Sequence, residues 1–196
     1  MIIPEIFYIK GALADGCLTK GWMIKFTQKN REWLSSVILP SLRKVFDKEL
    51  RENQIFYEPI TKVWYIAFRN KEIWNILKQL AVPTINETFE EQKFYIQSFW
   101  DADGGCPRYP NAHKKLYIDF TQKDKTRLIE LKELLETTFK IKCGNVRISE
   151  KKVNGNIWRF AITGKNDILN FIKLIGSSHP EKKLRLEKMV DILHLN

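Results

Sequence analysis

The 196-residue sequence is poor in the residues that staple or metallate small proteins. Its three cysteines, Cys17, Cys106 and Cys143, form an odd and widely separated set. They give neither a disulfide framework nor the paired spacing of a zinc site, and read as small, half-buried side chains. His113 and His179 have no partner at metal-ligand spacing. No apolar run is long enough to span a bilayer. The opening residues, Met-Ile-Ile-Pro-Glu, lack the basic-then-apolar pattern of a secretory signal. The expectation is an intracellular protein, in cytoplasm or an organelle matrix, with no membrane contact. Acid is in deficit: 33 Lys and Arg stand against 23 Asp and Glu, a net charge of +10. That balance favours a polyanionic partner, most simply nucleic acid. At 44% hydrophobic and 12% aromatic residues, the chain can bury a core and is not disordered.

Two stretches carry most of the information. Phe94 to Gly104 reads as an apolar helix that ends in Asp101, Ala102, Asp103 and Gly104. Acids are unfavourable at a helix C-terminus, where the dipole is negative. Gly104 suits the left-handed position that closes many helices. A hard divalent cation at that point would relieve the conflict. Phe7 to Cys17 shares the opening Phe-Tyr-Ile and the closing Ala-Asp-Gly, which suggests an internal repeat.

The rest of the chain supports duplication. Residues 17–27 alternate, with Trp22, Ile24 and Phe26 on one face, and predict a strand after a Lys20-Gly21 turn. A helix follows over 32–47, with a kink or break at Pro40. Residues 55–57 and 63–68 form a hairpin, and 71–80 a short helix. In the second half a strand over 114–121 precedes a helix over 125–139. A hairpin of 145–149 and 157–163 turns through Val153-Asn154-Gly155-Asn156. Helices over 166–174 and 179–195 complete the chain, the last with Pro180 in its first turn. Phe26-Thr27-Gln28-Lys29 recurs as Phe120-Thr121-Gln122-Lys123, 94 positions later, and Trp64 recurs as Trp158 at the same offset. The closing acids, Asp15 and Asp103, are 88 apart, so a longer loop in the second half supplies the other six. The expected fold is α+β: two pseudo-symmetric αββαββα repeats, each with an antiparallel four-stranded sheet. The first repeat covers 1–80, a linker 81–92, and the second repeat 93–196.

On these residues the chain resembles the LAGLIDADG homing endonucleases in their single-chain, two-repeat form. Ile96 to Gly104 is a full nine-residue copy of the signature. Ile9 to Gly16 is a shortened copy, one residue short before the acid and without the first aspartate, so the register of its helix stays open. The resemblance implies that the two signature helices pack at the centre and bring Asp15 and Asp103 to a shared divalent metal site. The metal would be Mg²⁺ or Mn²⁺, with Ca²⁺ as a non-catalytic substitute. It also implies metal contacts from the main-chain carbonyls of Ala14 and Ala102, and water positioned by Gln28 and Gln122. A lysine near the last helix would stabilise transition-state charge, and Lys183 is chosen over Lys182. Close helix packing needs small residues; Gly11, Ala12 and Ala14 supply them in one copy, Ser98 and Ala102 in the other.

The two sheets would form a saddle on the DNA major groove. Candidate contacts are Lys20, Lys25 and Tyr65 in the first sheet. In the second they are Lys115, Tyr117, Asp119, Arg147, Ser149 and Arg159. The reading is a monomeric, metal-dependent endonuclease that cuts both strands of a long asymmetric double-stranded DNA target. It is expected to be free-standing and intron-encoded rather than an intein. The alternatives are an RNA maturase bound to intron RNA, or a DNA-binding regulator of the same fold without catalysis.

Overall fold

The computed structural model describes residues 3–153 and 155–195. Met1, Ile2, Asn154 and Asn196 lie outside it, and with Asn154 the central residue of the expected Asn-Gly turn. Helix α1 (Ile6–Ala12) passes into a 3-10 turn (Leu13–Asp15) and then strands β1 (Gly16–Thr19) and β2 (Met23–Gln28). α2 (Arg31–Trp33) and α3 (Leu39–Phe46) follow, then β3 (Ile55–Glu58), β4 (Val63–Arg69) and α4 (Lys71–Gln79). The second half runs α5 (Phe89–Asp103), β5 (Gly104–Gly105), β6 (Ile118–Gln122), α6 (Lys125–Thr137), β7 (Arg147–Lys152), β8 (Gly155–Ile162) and α7 (Lys165–Leu174). α8 (Pro180–Leu195) closes the chain. Among the described residues no helix is long and apolar enough to cross a membrane.

Each half carries one antiparallel sheet of the same order, β1-β2-β4-β3 and β5-β6-β8-β7. The repeat extends to the pairing register. Phe26 faces Ile66 and Gln28 faces Trp64; Phe120 faces Phe160 and Gln122 faces Trp158. The alternation buries Ile24, Phe26, Ile118 and Phe120 completely against the helices.

α1 and α5 cross at the centre of the molecule, and each feeds both cores. Ile6 and Phe7 of α1 belong to the second half's core, and Ala102 of α5 belongs to the first half's. The crossing is tight because Gly11 lies against α5. A β-carbon there would come within 2.0 Å of Ser98 Oγ and 2.5 Å of the Tyr95 carbonyl oxygen.

Several sequence expectations are corrected by local chemistry. Neither Gly16 (φ −145°) nor Gly104 (φ −85°) is a left-handed cap. Both are extended, and both are held to glycine by close approach. A β-carbon at Gly16 would meet the Lys25 carbonyl at 2.4 Å, and one at Gly104 the Trp100 ring at 2.1 Å. Trp22 does not join the buried face of β2 but sits 47% exposed in the turn, at φ +60°. The helix over 32–47 breaks as a π turn (Leu34–Ile38) ahead of Pro40, which lies in the first turn of α3. Proline gives no N–H and crowds the preceding carbonyls, so the helix widens there. α5 starts at Phe89, inside the stretch read as linker. Thr88 caps it reciprocally: Glu91 N–H donates to Thr88 Oγ1 at 3.3 Å, and Thr88 N–H donates to the Glu91 carboxylate at 2.8 Å.

The shortened first motif has a structural answer. A 3-10 turn rises about 2.0 Å per residue against about 1.5 Å in an α-helix. Three residues of it gain about 1.5 Å, the rise of the one residue that the motif lacks. Asp15 thus reaches the end of the helix pair with a shorter segment.

Gly11→Ala tests the crossing. Because one neighbour is backbone, relief requires the helices to separate. The expected loss is about 1–3 kcal/mol in unfolding free energy, measured by chemical denaturation with Ser35→Ala as a surface control.

Candidate active site

The ends of α1 and α5 meet β2 and β6 at one place. Thr27 Oγ1 donates to the Asp15 carbonyl oxygen, and the next residue, Gln28, donates from Nε2 to the Ala102 carbonyl at 3.1 Å. Consecutive residues of one strand therefore hold both signature ends. In the second half, Thr121 Oγ1 donates to the Asp103 carbonyl at 3.0 Å, and Gln122 Nε2 donates to Asp103 Oδ2 at 3.2 Å. Each glutamine's Oε1 accepts from the following backbone N–H, of Lys29 or Lys123, at 2.8 Å. The two glutamines thus share an anchor but not a target: Gln28 crosses to the other half, whereas Gln122 stays on its own acid.

Asp15 and Asp103 are both half-buried and act on each other. Burial raises the Asp15 carboxyl to about 6, against the lowering influence of Lys182, Lys29 and Thr27. Burial raises Asp103 to about 7, and the negative charge of Asp15 adds to the shift. Ala14 packs against both cores beside this pair. Among the described residues no three His, Cys, Asp or Glu side chains cluster to enclose a metal. Two carboxylates with nearby main-chain carbonyls and open positions suit Mg²⁺, which keeps waters and takes phosphate oxygens as ligands.

The two candidate lysines are placed differently. Lys183 is exposed on α8 and lines a surface cavity with Ile172, Gly176 and Leu186. Lys182, one residue and about 100° away around the helix, turns inward and is only 9% exposed. Its Nζ donates to the carbonyls of Trp100 (2.7 Å), Asp101 (2.8 Å) and Gly104 (2.7 Å), and lies 5.1 Å from the centre of the Trp100 ring. Burial lowers its pKa to about 8, against the raising influence of Asp101 and Asp103. A cation therefore does sit at the unfavourable acidic end of α5, and the protein supplies it.

Asp101 is fully buried and does not face the acid pair. Its carboxylate accepts from Tyr8 Oη at 2.7 Å, from Ser178 N–H at 2.9 Å and from Ser177 Oγ. Trp33 Nε1 donates to Tyr8 Oη at 3.1 Å and stacks on His179, whose centroid is 6.0 Å away. Burial keeps His179 neutral, lowering it to about 4. Tyr8 is not singled out by the sequence, Asp101 stands there only as the first acid of the motif, and Lys182 only as the alternative to Lys183. The Asp-Ala-Asp spacing was the available signal for Asp101, since alternate residues at a helix end point to different sides. Lys29, next to Gln28 in the repeated Thr-Gln-Lys, was also passed over, and its charge lowers Asp15.

The candidate DNA contacts separate into groups. Lys20 is exposed in the β1–β2 turn, and Lys115 is exposed ahead of β6, which starts four residues later than expected. Lys25 Nζ sits 4.4 Å from the centre of the Tyr65 ring. Arg147 and Ser149 are exposed on β7, where a register shift falls between Ile148 and Glu150. Asp119 is engaged within the protein, its Oδ2 2.8 Å from Arg159 Nε, and the Arg159 guanidinium lies 5.3 Å from the Tyr117 ring centre.

Lys182→Met takes the lysine donor from three helix-end carbonyls, of which Trp100 keeps the Gly104 N–H, and removes the cation beside two acids. It should cost roughly 3–5 kcal/mol, whereas Lys183→Met should stay within about 0.5 kcal/mol of wild type. Paired urea denaturation curves measure both.

With this geometry in view, similarities to known proteins are informative. The family model described as LAGLIDADG-like domain matches residues 90–176. The chain is 22% identical over 204 residues to homing endonuclease I-ApeI of Aeropyrum pernix, covering 94% of this chain and 86% of that protein. The crystal structure of I-DmoI in complex with DNA and Ca superposes with a TM-score of 0.66 at 17% identity, covering 94% of this chain and 97% of that one. The N-terminal LAGLIDADG domain of DUF199/WhiA superposes with a TM-score of 0.63 at 20% identity, covering 88% and 82%. Residues 90–176 therefore carry a LAGLIDADG-like domain, and the duplicated signature and shared register extend its resemblance over both halves of a chain that has the fold of the homing endonuclease I-DmoI.

Proposed function

We propose that the protein is a site-specific endonuclease that hydrolyses both strands of a long double-stranded DNA target. The observation that carries this reading is the pair of half-buried acids, Asp15 and Asp103, at the joined ends of the signature helices between two like sheets. A DNA-binding scaffold alone has no need to hold two carboxylates where each disfavours the other's charge. The basic excess supplies the attraction to phosphate.

Asp15 and Asp103, with the Ala14 and Ala102 carbonyls, would hold Mg²⁺ or Mn²⁺. When bound, such an ion polarises a phosphoryl oxygen and lowers the pKa of water. The chain's own residues set the rest. Thr27 and Thr121 fix the main chain of the two acids. Gln28 and Gln122 are positioned to orient water or a phosphate oxygen once their amides leave Ala102 O and Asp103 Oδ2. Lys182 holds α5's end and stabilises negative charge near the acids without contacting solvent freely. Lys29 is the exposed cation beside Asp15. Both halves lie on one chain, so the working unit in this reading is a monomer, encoded within an intron.

The test uses duplex DNA spanning the exon junction around the reading frame, with Mg²⁺, and Ca²⁺ as the binding-only control. Wild type should cleave both strands. Asp103→Asn should lose about 10²-fold or more in rate while still binding. Binding by wild type without cleavage would instead support the non-catalytic regulator. Cleavage that survives Asp103→Asn would remove that acid from the chemistry.

A pH prediction follows from the raised carboxyls. Asp103 titrates near 7 folded against an ordinary value of 3.8. The folded state therefore holds the extra proton between these values. Its stabilising effect is complete below about pH 4 and lost as pH rises through 7. Without metal, Asp103→Asn should be more stable than wild type at pH 8, and the difference should vanish near pH 4. Thermal melts at the two pH values check this, and Mg²⁺ should stabilise only wild type.

A further inference from the structure

The two sheets are alike in backbone and unlike in chemistry at matching positions. In the first, Thr27 faces Tyr65 and Lys25 faces Ala67. In the second, Thr121 faces Arg159 and Asp119 faces Ala161. Lys25 and Asp119 are thus equivalent, and so are Tyr65 and Arg159. The edge strands extend the correspondence: Phe56 faces Tyr65, and Arg147 faces Arg159. All six side chains lie on the face opposite the buried Ile24, Phe26, Ile118 and Phe120, by the period of two.

In the first sheet these positions make an aromatic patch. The Phe56 and Tyr65 rings are 5.7 Å apart, Phe56 is 49% exposed, and Lys25 lies over Tyr65. In the second they make a basic pair. Arg147 and Arg159 are direct cross-strand neighbours, an arrangement of like charges that costs stability when no anion or acceptor is present. Asp119 offsets part of this by pairing with Arg159 through Nε. The guanidinium lies over the Tyr117 ring, and its Nη donors offer the fork that matches O6 and N7 of guanine. Phenylalanine offers no such donors, and its favourable major-groove contact is the thymine methyl group.

We infer that the two halves read their half-sites by different chemistry: Phe56 and Tyr65 by apolar contact with thymine methyl groups, Arg159 and Arg147 by hydrogen bonds to guanine. The inference rests on the DNA-endonuclease reading and specifies the target that reading leaves open. The target is then asymmetric in base composition, with a thymine step under the first sheet and guanine under the second. Lys25, held on the Tyr65 ring, adds charge toward phosphate in the thymine half.

Selection of bound duplexes from a randomised library in Ca²⁺ tests it. The preferred sequence should contain thymine in one half and guanine in the other. Replacing thymine by uracil, which deletes only the methyl group, should weaken binding severalfold in the first half and leave the second half unchanged. Arg159→Lys keeps the charge and loses the fork. It should reduce guanine discrimination at one position by about tenfold or more, with little change in affinity for unrelated duplex. Arg147→Ala, at an exposed site, should relax a neighbouring position in the same half. Equal uracil sensitivity in both halves, or guanine preference unchanged by both arginine variants, would overturn the inference while leaving DNA binding intact. Failure of wild type to enrich any duplex would instead overturn the endonuclease reading, and the inference with it.

Discussion

The molecule depends on how closely α1 and α5 can approach. With hydrogen at Gly11 in place of a side chain, Ser98 and the Tyr95 carbonyl come within a distance that no larger residue permits. That approach lets Ile6 and Phe7 reach one core and Ala102 the other, so the halves fold as one packed body. It also brings Asp15 and Asp103 near enough for each charge to disfavour the other. Packing at the middle of the helices therefore sets the electrostatics at their ends. The free energy spent on crowding two acids comes from apolar burial far from them.

The halves are not equal partners in this arrangement. α8 exists only after the second repeat, and its first turn sends Lys182 to the carbonyls that end α5. The Ser177–His179 segment before it closes on Asp101, which also receives Tyr8 from α1. One buried carboxylate thus joins α1, α5 and the approach to α8. Burial alone would push its pKa up, and three donors counter that. The first repeat has leucine at position 13, two residues before its acid, and ends in a 3-10 turn instead. The site is consequently twofold in its acids and threonines, but one-sided in the targets of its glutamines and in its buried cation. The outer faces of the sheets break the symmetry again, with aromatic side chains in one half and arginines in the other.

Much of this was legible from residue order. The recurrence of Phe-Thr-Gln-Lys and of tryptophan at a constant offset fixed two like units, because strand register follows the pattern of buried residues. The acid-glycine endings marked the helix termini, although glycine was required there by close approach and not by a left-handed backbone. A helix start at Phe89 is also readable, in the Thr-x-x-Glu capping box, although Pro83 and the few large apolar residues over 81–92 read as a linker.

What the sequence by itself determined is local and periodic: the elements, their order, their duplication and the identity of the acids. These follow from spacing along one chain, where period two or 3.6 decides which side chains share a face. What only the tertiary structure decided is which side chains meet across the chain. Lys182 and Lys183 are equivalent as neighbours in sequence, yet a rotation of about 100° on α8 buries one and leaves the other in solvent. Asp101 and Asp103 differ in the same way, one closing a buried joint and one facing its counterpart from the other half. Such outcomes depend on the helix crossing and on the seating of α8, and these are set by three-dimensional packing rather than by spacing along the chain.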